Sequence, residues 1–239
     1  PALFFDETII KADGTMAPTF GECKQGMDIS YNGQWGYHPL VVSLANTGEP
    51  LLLDNRSGNR PSHEGAGQRF DQSAEIARRG RFKSILFRGD GDFTQASELD
   101  RWDEAGDIRF IFGIDAMANL KQIAENLGKR RWKRLKRPAK HEVQTEPRAK
   151  PDNVKEQIVF ERAFKNIRLQ SENIAEFDYS PTKCKKTYRI VAVRKNLSKD
   201  KGEWVLLDDV HYFFYITNDR RSPIDTIVFE ANARCNQEN

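Results

Sequence analysis

Nothing in this sequence comes near the roughly 20 consecutive apolar residues needed to span a bilayer, so no membrane partner is expected. No basic-then-apolar leader opens it, so secretion is not indicated. Cysteine is scarce. Cys23, Cys184 and Cys235 stand far apart, form no CxxC pair for zinc, and by their odd number argue against a disulfide framework. They read as reduced thiols of a cytoplasmic protein. Histidine is as thin: His38, His63, His141 and His211 show neither HExxH nor paired spacing, which argues against a histidine-held metal. No repeat of fixed period and no low-complexity segment interrupts the chain.

What is there is a chain of 239 residues, 38% apolar and 31% charged, enough for one large domain or a core with an inserted subdomain. It opens on Pro rather than Met and closes on Asn-Gln-Glu-Asn inside an apparent helix, so it reads as a piece of a longer frame. The formal net charge of +3 is unevenly placed: Lys129–Lys140, "KRRWKRLKRPAK", holds eight basic residues and no acid, leaving the remainder net acidic. A basic block on a nearly neutral body points to a polyanion. The plainer alternative is a solvated linker. Trp132, inside the block, is suited to stack on a base or sugar.

Strands are expected over 8–15, 37–46, 49–59, 82–90 and 108–115, and helices over 64–79, 95–106 and 116–128. The second and third strands should form a hairpin across Asn46-Thr47-Gly48. From 129 to 217 the texture turns strand-like, rich in β-branched and aromatic residues. Ser222–Asn239 reads as a closing helix, with Ser222 as its cap, Pro223 in its first turn and Asp225 near its positive end. The order describes an α/β fold: a catalytic core over 1–128, a β-rich insertion over 129–217, and the core's terminal helix over 218–239.

In an open α/β sheet, working residues gather at strand ends. Asp13 and Asp90 sit at two such ends. "KADGT" is close to the DxDGT of haloacid-dehalogenase-like phosphatases, but Lys11 stands where the nucleophilic Asp belongs, and an ammonium cannot attack phosphorus. Taken together, Asp13 and Asp90 suit Mg²⁺, a cation that favours hard oxygen ligands. A third acid would complete a two-metal site for phosphoryl transfer. Glu238 is the candidate, with Arg234 one helical turn before it and able to bind a phosphate. Asp92 competes with Asp90, and Asp6 with Asp13. Arg88 shares a strand face with Asp90 and is placed to meet a phosphate or an acid.

These stretches, in order, resemble DDE transposases of bacterial insertion sequences, in particular the insertion-sequence family numbered 1380, within the group with a ribonuclease-H-like core. "DGTMAPTFGECKQG" (13–26), "YNGQWGYHPLVVSLANTGEPL" (31–51), "NRPSHEGAG" (59–67), "LFRGDGDF" (86–93) and "ARCNQEN" (233–239) are similar to its successive blocks. The resemblance implies a ribonuclease-H-like mixed sheet flanked by helices, with a mostly β insertion before the last helix. It implies that Asp13, Asp90 and Glu238 are the catalytic acids and chelate two Mg²⁺ or Mn²⁺ ions. The partners it implies are double-stranded DNA, as transposon ends and target, and a second copy during synapsis. Lys129, Arg130, Arg131, Lys133 and Arg134 are expected on the DNA backbone, with Arg88 and Arg234 as further contacts. Trp132 and Trp204 are candidates for base stacking in the insertion. Two departures stand out: Ala231 occupies the signature's Tyr position, and its Lys falls past residue 239. The other readings are a nuclease of the same core without strand transfer, and an inactive DNA-binding relic.

Overall fold

The computed structural model describes residues 3–21, 23–137, 165–201 and 204–233. The chain divides into two units. The first takes Pro1–Asp115, Glu176–Val191 and Phe214–Asn239; the second takes Ala116–Ala175 and Ala192–Phe213.

The first unit begins with β1 (Glu7–Gly14). β2 (Ala17–Pro18), β3 (Asp28–Ile29) and β4 (Trp35–Tyr37) follow as a small separate sheet in the order β2-β4-β3. β5 (Leu40–Leu44) and β6 (Glu49–Asp54) form the expected hairpin, closed by Gly48, whose φ of 81° suits glycine. β7 (Ser84–Gly89) and β8 (Ile108–Ile114) continue the main sheet, which up to this point runs in the order β6-β5-β1-β7-β8. β5 runs antiparallel to both neighbours, whereas β1, β7 and β8 are parallel. This is the mixed α/β sheet implied for a ribonuclease-H-like core.

Strands at the centre of a sheet covered on both faces run near-continuously apolar. "SILFRG" in β7 is buried over its last five residues. α1 (Ala66–Arg79) covers the sheet with Phe70, Ala74 and Ala77, spaced as one helical face requires. It stops at Gly80, with Arg78 and Arg79 placed in its last turn against the helix dipole. α2 (Ala96–Glu104) adds Leu99 and Trp102. The rings of Phe70 and Phe87 lie 4.7 Å apart, Phe87 and Trp102 5.1 Å, and Trp102 and Phe112 5.7 Å. The Trp102 indole Nε1–H donates to Asp71 at 2.9 Å, so its polar edge is satisfied where α1 meets α2.

In the second unit, α3 (Ala118–Asn126) precedes β9 (Lys133–Arg134). The strand-like texture after 128 corresponds to β9 and to the long strands β10 (Lys165–Tyr179), β11 (Tyr188–Lys201) and β12 (Trp204–Thr217). β9 pairs antiparallel with β10, Arg134 opposite Asn173. Residues 176–179, 188–191 and 214–217 of the long strands belong to the first unit. There β12 extends the main sheet beside β8, antiparallel, with Phe214 opposite Ile114.

The first unit closes with α4 (Ile224–Asn232), which buries Ile227 and Val228. Ser222 is not its cap. The helix starts after an extended Pro223, with no side-chain cap, and the Ser222 amide instead donates to Asp219 Oδ1 at 2.9 Å. Asp225 does lie in the first turn.

One arginine ties this unit together. Arg109 on β8 reaches Glu7 at the start of β1 (3.0 Å), Asp219 after β12 (2.8 Å) and Glu230 on α4 (2.8 Å). Burial alone would raise the Asp219 carboxyl. Hydrogen bonds from Ser222, Arg221 and Arg109 win and hold it down, at about 2. Burial works against the Arg109 cation, but its bonds to Glu230 and Glu7 raise it above its ordinary value.

Candidate active site

The last paired couple of β1 and β7 is Lys11 with Arg88. Asp13 and Asp90 each lie two residues beyond it, so both carboxylates leave one end of the sheet from the same strand face. Neighbouring strands run roughly 4.8 Å apart, close enough for two such carboxylates to share a cation. Asp13 is exposed and Asp90 half-buried. Asp90 also opens a single 3₁₀ turn, Gly91–Phe93, by accepting from the Asp92 amide at 3.1 Å.

Glycine flanks Asp90 for reasons of packing. A Cβ on Gly89 would fall 2.8 Å from Phe93 Cβ and 3.2 Å from the Phe112 ring, so the bare backbone lets the turn fold onto the core. A Cβ on Gly91 would meet Asp115 Oδ1, after β8, at 3.1 Å. A further carboxylate, Asp115, therefore stands exposed at the same sheet end.

The open alternatives separate by position. Asp6 precedes β1, at the opposite end from Asp13, and pairs with Lys83 at 2.5 Å. Asp92 is exposed beside Asp90 and lines the wall of a cavity. Lys11, at the position of the phosphatase nucleophile, is 7% exposed. Arg88 is 5% exposed, and its Nη1 donates to the Glu230 carbonyl at 3.0 Å. It anchors α4 beside the strand that carries Asp90. Glu238 and Arg234 lie outside the described residues.

The cavity, of about 540 Å³, is bounded by Gly14, Tyr31, His38, Arg60, His63 and Asp92 among others. Arg56 ties the lining loop together by collecting carbonyls: Nε donates to His38 (3.1 Å), and Nη1 to Pro61 (3.2 Å) and Glu64 (2.6 Å). Scattered histidines gave no motif to find this in the sequence. The "NRPSHEGAG" block was the one available signal, since Arg60 and His63 lie inside it.

In the second unit, Lys129, Arg130 and Arg131 are exposed on a 3₁₀ turn, and Lys133 and Arg134 are exposed on β9. Trp132 is half-buried among them. The Arg194 guanidinium lies 4.4 Å from its ring centre, and the Tyr212 ring 6.3 Å. The Trp204 side chain lies outside the described residues.

Two strand-end carboxylates on a mixed α/β sheet suit a divalent metal and phosphoryl chemistry. A family model agrees over nearly the whole chain: the transposase DDE domain group 1 model matches residues 5–234. The chain belongs to that family. No curated protein matches it. Among solved structures it is similar to a piggyBac transposase synaptic complex with hairpin DNA, at 9% identity and a TM-score of 0.47. That match covers 94% of this chain and 37% of the other, so the chain spans well under half the length of that relative.

DDE domains of this family generally use divalent metal ions. Among the described residues no group of three or more His, Cys, Asp and Glu is gathered to hold one. Asp13 and Asp90 carry the hard oxygens that such an ion favours. No helix among the described residues is long and apolar enough to cross a membrane.

Proposed function

We propose that this DDE domain is the catalytic core of a transposase that cleaves double-stranded DNA at transposon ends and joins the freed 3′ end to target DNA. The observation that carries the reading is the placing of Asp13 and Asp90 at neighbouring parallel strand ends in a chain of this family. Asp13, Asp90 and Glu238 would hold two Mg²⁺ or Mn²⁺ ions. Glu238 lies eight residues after Glu230, whose carbonyl Arg88 holds two residues before Asp90. Arg234 is assigned to a phosphate on the same segment. Bound metal would supply an activated water or 3′-hydroxyl and charge stabilisation at the leaving oxygen.

The chain's own residues do the positioning. Packing of Gly89 against Phe93 and Phe112 fixes the backbone from which the Asp90 carboxylate projects. The Arg109 bonds to Glu7 and Glu230 fix α4 on the sheet. Lys129, Arg130, Arg131, Lys133 and Arg134 bind DNA phosphates, and Trp132 with its stacked Arg194 adds a contact to base or sugar. The protein acts in the cytoplasm, as a dimer when two ends are brought together.

The test uses the full-length protein with end-bearing DNA, supercoiled target and Mn²⁺. Asp13→Asn and Asp90→Asn should each lower cleavage about a thousandfold, the value of several kcal/mol of charge stabilisation. Wild-type rates in either variant refute the assignment. Nicking without joined product reduces it to a nuclease.

A further inference from the structure

We infer that the cavity beside Asp13 is a nucleotide subsite: it takes the nucleobase adjoining the phosphate to be cleaved, with His38 Nε2 as acceptor for a base N–H. The inference rests on the transposase reading and deepens it.

Two residues of the cavity wall are tied to the carboxylates. Gly14 follows Asp13 in the chain, and the Asp92 amide donates to the Asp90 carboxylate. A group in the cavity is therefore covalently within reach of a phosphate held at Asp13 and Asp90. The volume, about 540 Å³, lies within the roughly 300–1,000 Å³ of small-molecule sites.

The orientation of His38 is fixed. Its Nδ1 lies 2.7 Å from the Arg60 carbonyl oxygen, which can only accept, so Nδ1 carries the proton. In the neutral ring Nε2 is then an acceptor. Nε2 faces Gly14: a Cβ there would stand 3.1 Å from it. Any side chain at position 14 would crowd the space in front of this acceptor, and glycine leaves it clear.

The walls are built before any ligand arrives. Asn59 donates to Asp28 at 2.6 Å and accepts from Ser57 at 2.9 Å. Arg56 holds the carbonyls of His38, Pro61 and Glu64 in place. At the rim, Tyr31 is fully exposed, a ring available to stack on a base. Acceptor, aromatic ring and neighbouring carboxylates match the three parts of a nucleotide: base edge, base face and metal-bound phosphate.

The test titrates the full-length protein with thymidine 3′,5′-bisphosphate in Ca²⁺, and with the abasic deoxyribose bisphosphate. The His38 Cε1–H resonance should move on saturation with the thymidine compound, while that of His211, in the second unit, stays. His38→Asn keeps a donor for the Arg60 carbonyl and removes Nε2. It should weaken thymidine bisphosphate at least tenfold and leave the abasic compound unaffected, a difference that loss of structure would not produce. An unmoved His38 resonance, or equal binding by wild type and variant, overturns the subsite. Mn²⁺-dependent nicking by the wild type, measured alongside, keeps the two readings apart. Nicking without nucleotide at His38 sinks only the subsite; nucleotide at His38 without nicking sinks the transposase reading.

Discussion

The main sheet carries acidic residues at both ends of its parallel strands, and the two ends use them differently. At the starting end Glu7, Asp219 and Glu230 converge on one guanidinium, and Asp219 is only 7% exposed. At the finishing end Asp13, Asp92 and Asp115 are exposed and Asp90 half-buried, on backbone that Phe93 and Phe112 pack in place. At the starting end the acids are drawn onto one cation, and Asp219, the most buried of them, titrates low. On the proposed reading, the acids kept for a ligand stay open to solvent on a fixed frame. The contrast gives each end a different expected response to mutation, acid and metal.

Arg109→Met should have the largest effect. It leaves three carboxylates facing one another, part-buried, without their shared cation. Breaking such a pair typically costs about 3–5 kcal/mol. Urea unfolding should report that loss, and a loss below about 1 kcal/mol would show that the network is no better than a surface pair.

Acid should act on the same end. The Asp219 carboxyl is held at about 2 when folded, below its ordinary value. A depressed pKa contributes stability that is fully present above the unfolded value and lost as pH falls through the folded one. The loss should therefore fall between about pH 4 and pH 2, and amount to about 2 kcal/mol. In Asp219→Asn that segment of the pH–stability curve should flatten, and an unchanged slope would assign the acid sensitivity to other groups.

These two ends were not equally legible. β1, β5, β6, β7 and β8 follow from alternation, apolar runs and turn residues that lie close together in sequence. Asp13 and Asp90 follow from them, because a strand end is a local feature. The Arg109 network is not local. Its partners stand 102, 110 and 121 residues away, and each alone reads as a surface charge. His38 was hidden for the same reason: its meaning lies in the Arg60 carbonyl, 22 residues on. Ser222 reads as a cap in the sequence because a capping residue and a turn residue have the same chemistry. Here the nearby Asp219 carboxylate claims the Ser222 amide, and the helix begins beyond.

Asp6 offers a control of smaller effect. It lies near the acid-holding end, but its pair with Lys83 is exposed, at 45% and 73%. Position alone would group it with the Arg109 partners; exposure groups it with ordinary surface pairs. Asp6→Asn should change stability by less than about 0.5 kcal/mol, with cleavage unaltered. A loss comparable to Arg109→Met would mean that location, not burial, divides the two classes of acid.

Asp13→Asn should change the melting temperature without metal by only about 1–2 °C, because the carboxylate is exposed and an exposed charge contributes little to stability. Its effect should appear when Mn²⁺ is added. A ligand that binds only the folded state stabilises it by mass action. Mn²⁺ should therefore raise the melting temperature of the wild type and fail to raise that of Asp13→Asn, while Asp6→Asn responds as the wild type does. An equal Mn²⁺ response in Asp13→Asn would remove that carboxylate from the metal site, and with it the distinction drawn between the two ends of the sheet.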